Sequence, residues 1–295
     1  MNKFYNNIKT AVLLGGLTGL ILLVGSFWGP GGVYVGLIFA GVMNFGALFF
    51  SDKIALMSMR AQKVGPEHDL HRTVERLARR ADQPMPRVYV SPHAAPNAFA
   101  TGRSPRKAAV CATAGLLEVL DRDEVAAVMA HELAHVRHRD TLIQTVAATI
   151  GGAISMIAYN LMWFGGGFGG DSDGDGDSGG VGILGALAAM ILAPLAAGLI
   201  QAAISRSREF NADTAGAEIL GDPRPLASAL EKIHAVSQRV PLAVNPALNN
   251  LFVIEPLNPM RAMANLFATH PPIEQRLENL LGRASAGAGR FNRAA

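Results

Sequence analysis

Four long apolar stretches constrain this 295-residue chain more than any other feature of its sequence: residues 11–28, 33–50, 141–164 and 181–205. Each is close to the roughly 20 residues that cross the hydrocarbon core of a bilayer. The third and fourth contain no charged residue. Pro194 in the fourth would kink a helix, which a membrane tolerates when the freed carbonyl finds a partner. Half of the chain is hydrophobic and only 17% is charged, which is too apolar for an ordinary soluble protein. The first stretch has the basic start of a signal peptide in Lys3 and Lys9. Its apolar run is long, however, no small-x-small cleavage site stands out, and a second stretch follows after the turn-like "GPGG". The third and fourth could instead be core helices of a soluble domain, a reading that their length disfavours.

Basic residues orient these stretches. Lys3 and Lys9 precede the first, and Lys53, Arg60 and Lys63 follow the second. Arg137 and Arg139 precede the third, and Arg206 and Arg208 follow the fourth. The loop between the third and fourth has no Lys or Arg, so both termini and both large polar segments are expected on the cytoplasmic side. In that loop, residues 165–180, Asp171, Asp173, Asp175 and Asp177 alternate as in a calcium loop. An EF-hand frame begun at Asp171 puts Gly182 where a bidentate Glu is required, so a solvated linker is the better reading. The formal charge of +3 comes with no basic stripe interleaved with aromatics, so nucleic acid is not an expected partner. The single cysteine, Cys111, fits a cytosolic segment and a buried place in an apolar strand.

The chemistry is concentrated in "AHELAHVRHRD", residues 130–140. His131 and His135 bracket Glu132 in the H-E-x-x-H pattern of zinc hydrolases. The preceding residues read as a helix, with Asp121 as N-cap and Asp123 and Glu124 in the first turn. Histidines at i and i+4 share one face and can present two nitrogens to one ion. Glu132, offset by about 100°, can reach a water on that ion without occupying it.

A catalytic zinc normally takes three protein ligands and keeps a fourth position open. His138 is a poor third ligand, because it lies about 10.5 Å from His131 along a helix rising 1.5 Å per residue. The metzincin pattern fails as well, since it needs Gly at 138 and His at 141, where this chain has His138 and Thr141. A second candidate lies in "SRSREFNADTAGAEILGD", residues 205–222, which reads as a helix ending near Gly221. There Glu209 and Asp213 share a face. Glu209 could complete the metal site while Asp213 accepts the ring N–H of a bound histidine. Both could equally be ordinary carboxylates on an amphipathic helix.

These pieces together resemble the HtpX group of membrane-bound zinc endopeptidases, relatives of the CaaX-processing prenyl endopeptidases. The resemblance rests on "HELAH" with Asp140, on "SRSREFNAD", on "NAFATG" and on "ATHPPIEQR", spanning residues from about 85 to 285. It implies one zinc ion per chain, held by His131, His135 and Glu209, with Glu132 as the catalytic base. It implies an edge strand beside the site, formed by Asn97, Ala98, Phe99, Ala100, Thr101 and Gly102, along which substrate lies. The flanking runs "PRVYVS" and "KAAVCAT" support that placement, because both read as short strands and an extended peptide could add to their sheet. His270 resembles a family histidine placed near the oxyanion. Asp213, Asp140 and Arg206 are the expected supports around the ligands, although Arg206 also suits a positive-inside anchor.

The resulting expectation is an α-helical membrane protein with four transmembrane helices and a cytosolic α+β zincin-like metalloprotease domain. Residues 1–52 would form an N-terminal hairpin, 53–140 the first part of the protease domain and 141–205 the second hairpin. Residues 206–285 would complete the domain and 286–295 would form a flexible tail. The resemblance further implies a bacterial inner-membrane location, unfolded or membrane protein substrates, and a part in membrane-protein quality control under stress. A narrower processing protease and a zinc-stabilised scaffold without activity are the alternatives. A transporter is disfavoured, because no apolar stretch carries an ionisable residue at mid-depth.

Overall fold

The structure, a computed structural model, describes residues 3–26, 29–147, 149–151, 206–237 and 271–291. The fourth apolar stretch, most of the third, the Gly/Asp loop and His270 lie outside the described residues. Helices α1 (Lys3–Ser26) and α2 (Gly29–Ser58) pack against each other. Asn44 ties them together by donating to Thr18 Oγ1 at 2.8 Å, a polar contact in an otherwise apolar pairing. Residues 29–32, expected as a turn, already belong to α2. Pro30 is tolerated there because a first-turn N–H has no intrahelical partner to lose. Among the described residues α2 is the one helix long and apolar enough to cross a membrane. Its Tyr34 and Ile38 are each 71% exposed, which the core helix of a soluble protein would not allow.

Beyond α2 the chain forms a four-stranded sheet from β1 (Gln62–Lys63), β2 (Arg87–Ser91), β3 (Ala98–Thr101) and β4 (Ala109–Thr113). The strand order is β1-β2-β4-β3, with β2 and β4 parallel and the other pairs antiparallel. The two runs read as strands are β2 and β4, and "AFAT" is the edge strand β3. Helix α3 (Asp69–Arg80) presents Val74 and Leu77 to the main core, which also holds Val88, Val110 and Leu133. On the other face, Phe99 and Cys111 meet Ala55, Leu56 and Met59 at the end of α2. The sheet is therefore clamped between the helices of the main core and the end of the membrane-type helix. Burial pushes the Cys111 thiol well above its ordinary range, as suits a packing residue.

After the short α4 (Ala114–Val119) comes α5 (Arg122–His138), buried at every residue from Glu124 to Val136. Its N-terminus carries the expected cap: Asp121 accepts from the backbone of Asp123 and Glu124, and the Glu124 side chain accepts from the Asp121 N–H. Residues 140–147 are again helical, and Val146 there packs with Leu17 of α1 and Ala47 of α2. Helices α6 (Arg206–Leu220), α7 (Arg224–Ser237) and α8 (Ile273–Phe291) complete the domain. Gly221, at φ +88°, ends α6 as expected. Helix α8 continues through residues 286–291, where a flexible tail is expected, and the alanines of "ASAGAGRF" favour that continuation.

Glu124 joins α5 to α7, since Ser228 and Lys232 both donate to its carboxylate at 2.7 Å. Burial raises this carboxyl, but Lys232, Ser228 and the Asp121 N–H outweigh it and hold the group below its ordinary 4.5. A depressed acid stabilises the fold above its unfolded value and loses that contribution as pH falls through the folded one. Glu124→Ala is expected to cost about 1–3 kcal/mol at neutral pH. The deficit relative to wild type should shrink in melts below about pH 4.

Candidate active site

Helix α5 projects His131 and His135 from one face into a closed interior, 1% and 4% exposed, with ring centroids 4.7 Å apart. Their Nε2 atoms stand 3.2 Å apart. Each Nδ1 faces a carboxylate: Asp213 Oδ1 at 2.9 Å for His131, and Asp140 Oδ2 at 3.4 Å for His135. A carboxylate at Nδ1 fixes the proton there and leaves a lone pair on each Nε2.

Glu209 closes the third side. Its Oε2 is 3.9 Å from His131 Nε2 and its Oε1 is 3.6 Å from His135 Nε2. Ligands about 2 Å from one tetrahedral ion lie about 3.3 Å from one another, so small adjustments fit these three to such an ion. Two lone pairs and a carboxylate converging in a buried space repel one another unless a cation lies between them. Among the described residues, His131, His135 and Glu209 are the one group able to hold a metal. His138 lies apart from it, lining a polar cavity with Arg208 and Glu218.

Electrostatics point the same way. Burial lowers His135, but Asp140, Glu209 and Glu132 outweigh it and push the group up to about 9. Burial keeps His131 below its ordinary range, so the extra proton sits on His135, and an entering metal displaces it. Burial pushes Glu132 up to about 7, Glu209 adds to this, and His135 and the Ala100 N–H oppose it. A buried carboxyl poised near neutrality, offset from the ligand face, has the properties of a general base.

The support around the ligands is deeper than the sequence reading gives it. Arg276 on α8, 2% exposed, donates to both oxygens of Asp213 at 2.9 and 2.6 Å. Burial raises the Asp213 carboxyl, but Arg276 and His131 hold it below its ordinary range. Arg208 Nε stands 3.5 Å from Asp140 Oδ1. Each histidine is thus backed by a carboxylate, and each carboxylate by an arginine. Arg206 begins α6, and its side chain lies outside the described residues. The arginine next to Asp140 is Arg208, two positions on. Arg276 lies in "ATHPPIEQR", where spacing gives it no partner, and the packing of α8 on α6 supplies Asp213.

Two backbone features permit these contacts. Arg139 adopts left-handed geometry at φ +60°, which turns the chain so that Asp140 faces back to His135. Gly216 lies on the α6 face that carries Glu209 and Asp213. A Cβ there would stand 2.8 Å from the His131 backbone N and 2.9 Å from its Cα. Gly216→Ala is therefore expected to push α6 off α5 and weaken metal binding, readable by chelator competition. Unchanged affinity would mean that the helix shift is absorbed elsewhere.

Strand β3 passes this site at the sheet edge. Asn97 O accepts from Thr113 N, so Ala98 and Ala100 turn their backbone polar groups away from β4. The Ala100 N–H meets the Glu132 carboxylate. Asn97, Ala98, Phe99, Ala100, Thr101 and Gly102 are all buried, and the Ala98 N–H donates to Asn97 Oδ1 at 2.7 Å. The Thr101 hydroxyl contacts that of Thr145 at 3.0 Å, and the Gly102 carbonyl accepts from Thr141.

Residues 65–284 match peptidase family M48. The chain is similar to the protease HtpX homolog of Desulforapulum autotrophicum, 48% identical over 287 residues that cover 96% of this chain and 92% of that one. It is similar also to the protease HtpX homolog of Persephonella marina, 49% identical over 282 residues, covering 93% and 96% of the two chains. Among solved structures it aligns with S. mikatae Ste24p at 20% identity and a TM-score of 0.48, over 94% of this chain and 66% of that protein.

Proposed function

This chain belongs to peptidase family M48 and is a membrane-associated metalloprotease, and we propose that it is a zinc endopeptidase acting on misfolded or damaged membrane proteins. The observation that carries this reading is the convergence of His131, His135 and Glu209 within 4.8 Å, with Glu132 beside them. Two imidazoles and one carboxylate favour zinc among the common divalent ions. In the proposed topology, hairpins 1–52 and 141–205 supply four transmembrane helices. They carry a cytosolic α+β zincin-like domain split between residues 53–140 and 206–285. The apolar exposed face of α2 and the distribution of Lys and Arg support a multi-pass inner-membrane protein with its site on the cytoplasmic side.

When bound, the ion supplies Lewis acidity, lowering the pKa of water and polarising a peptide carbonyl. Glu132 takes a proton from the attacking water and returns it to the departing amine. Asp213 and Asp140 hold the imidazoles in the tautomer that presents Nε2 to the ion, and Arg276 and Arg208 hold those carboxylates. Substrate lies extended along β3 and donates to the outward carbonyls of Ala98 and Ala100, whose N–H groups already bond Asn97 Oδ1 and Glu132. His270 is proposed as a donor to the developing oxyanion. Backbone recognition suits unfolded chains, because it demands an extended segment and little of its sequence.

The test uses the full chain purified in detergent, assayed for zinc content and for cleavage of one membrane protein in folded and destabilised forms. One zinc per chain and cleavage confined to the destabilised form are expected. Cutting of a single bond in a folded protein, with none in unfolded chains, would replace this reading with specific processing.

A further inference from the structure

A second cavity, of about 490 Å³, lies at the end of α2 and carries no part of the proteolytic chemistry. Five cations line it: Lys53, Arg87, Arg103, Arg106 and Lys107. The one acid among its lining residues is Asp52, already paired with Arg87 at 2.9 Å. No carboxylate among the described residues pairs with the other four. Apart from Ser51, the remaining wall is apolar. Phe45, Phe49 and Phe50 of α2 line it and are 56%, 40% and 44% exposed. Phe45 stacks on Phe49 at 4.5 Å, Arg103 lies over the Phe49 ring at 4.7 Å, and Lys53 over Phe50 at 5.3 Å.

We propose that this cavity binds an anionic phospholipid, with its phosphate among Arg103, Arg106 and Lys107 and an acyl chain along the phenylalanines of α2. Both halves of the ligand are read from the walls. Concentrated unpaired guanidinium and ammonium groups select a phosphate. Exposed aromatic rings on the same cavity select an aliphatic chain, which a free phosphate would leave unused. From Phe45 to Lys53 the helix rises about 12 Å, the distance over which a bilayer passes from acyl chains to headgroups. Cations immediately beyond a membrane-type helix are the usual recognition element for acidic headgroups. The basic residues 103–107 connect β3 to β4, so a bound headgroup also anchors the end of the edge strand beside the active site. The inference is independent of the proteolytic reading, since none of these residues contributes to the metal group.

The experiment is native mass spectrometry of the full chain in detergent, with phosphatidylglycerol or phosphatidylcholine added. Wild type is compared with Arg103→Gln/Arg106→Gln and with Arg76→Gln/Arg79→Gln, an equal charge change on α3 across the sheet. Wild type and the α3 variant should retain phosphatidylglycerol, and the cavity variant should lose affinity by about tenfold or more. Arg103→Lys/Arg106→Lys should keep most of the binding, and equal metal content would show that all variants are folded. Equal retention of phosphatidylglycerol by the cavity variant, or of phosphatidylcholine by wild type, overturns the proposal. Displacement of phosphatidylglycerol by inorganic phosphate alone would reduce the site to an anion pocket and overturn the lipid assignment.

Discussion

Glu132→Gln is expected to lower peptide-bond hydrolysis by about a hundred- to ten-thousand-fold while metal content stays at the wild-type level. The side chain is 4% exposed and stands beside His131, His135 and Glu209 without being one of that group. An amide of the same size still accepts from the Ala100 N–H but cannot take a proton from water. Elemental analysis and the cleavage rate, measured on one preparation, decide the matter. Metal lost together with activity would make Glu132 a ligand or a structural acid, and retained activity would place the base elsewhere. The wild-type pH profile offers a second reading of the same group. A base must be ionised to act, so activity should fall as pH drops through the Glu132 pKa. Burial places that limb near 7 without the ion, and a bound cation moves it lower.

Arg276→Leu should be the most damaging change outside the ligands and the base. Arg276 and Asp213 form a bidentate pair in which both partners are buried. Removing the cation strands the Asp213 carboxylate in a low-dielectric interior, at a cost of about 3–5 kcal/mol. Asp213 then relaxes its hold on His131, and metal affinity should drop by about ten- to a hundredfold. Arg276→Leu/Asp213→Leu separates the two effects. Removing both charges should restore much of the stability but not the metal affinity, because the His131 tautomer is still unheld. Denaturant melts and chelator competition measure the two quantities. A single variant as stable as wild type would show that Arg276 is not the counter-charge the geometry makes it.

Local chemistry accounts for what the sequence disclosed in advance. The cap at Asp121, the i and i+4 histidines and the glycine stop at Gly221 are set by neighbours a few residues away. Strands β2 and β4 are legible as β-branched and apolar runs of the right length. Glu209 and Asp213 are visible as a pair on one helix face, but spacing alone leaves them indistinguishable from solvated carboxylates. In "GPGG" proline after glycine reads as a turn, yet a helix accepts proline where its first N–H groups are unpaired, and α2 begins there. Arg276 and Arg208 could not be found from spacing, because their partners are in other helices and a positive charge near a membrane has a simpler explanation.

Sequence by itself determined that this chain has membrane-length apolar segments and carries an H-E-x-x-H helix, because hydropathy and helical periodicity are properties of contiguous residues. Tertiary structure alone decided which carboxylates meet which histidines. That choice depends on how closely α6 crosses α5, which Gly216 permits, and on the packing of α8 that buries Arg276 against Asp213. It also depends on the pairing of β3 at the sheet edge, which sets the Ala100 N–H against Glu132. Buried charges are stable only with partners at hydrogen-bond distance, and those distances exist only once the helices are packed.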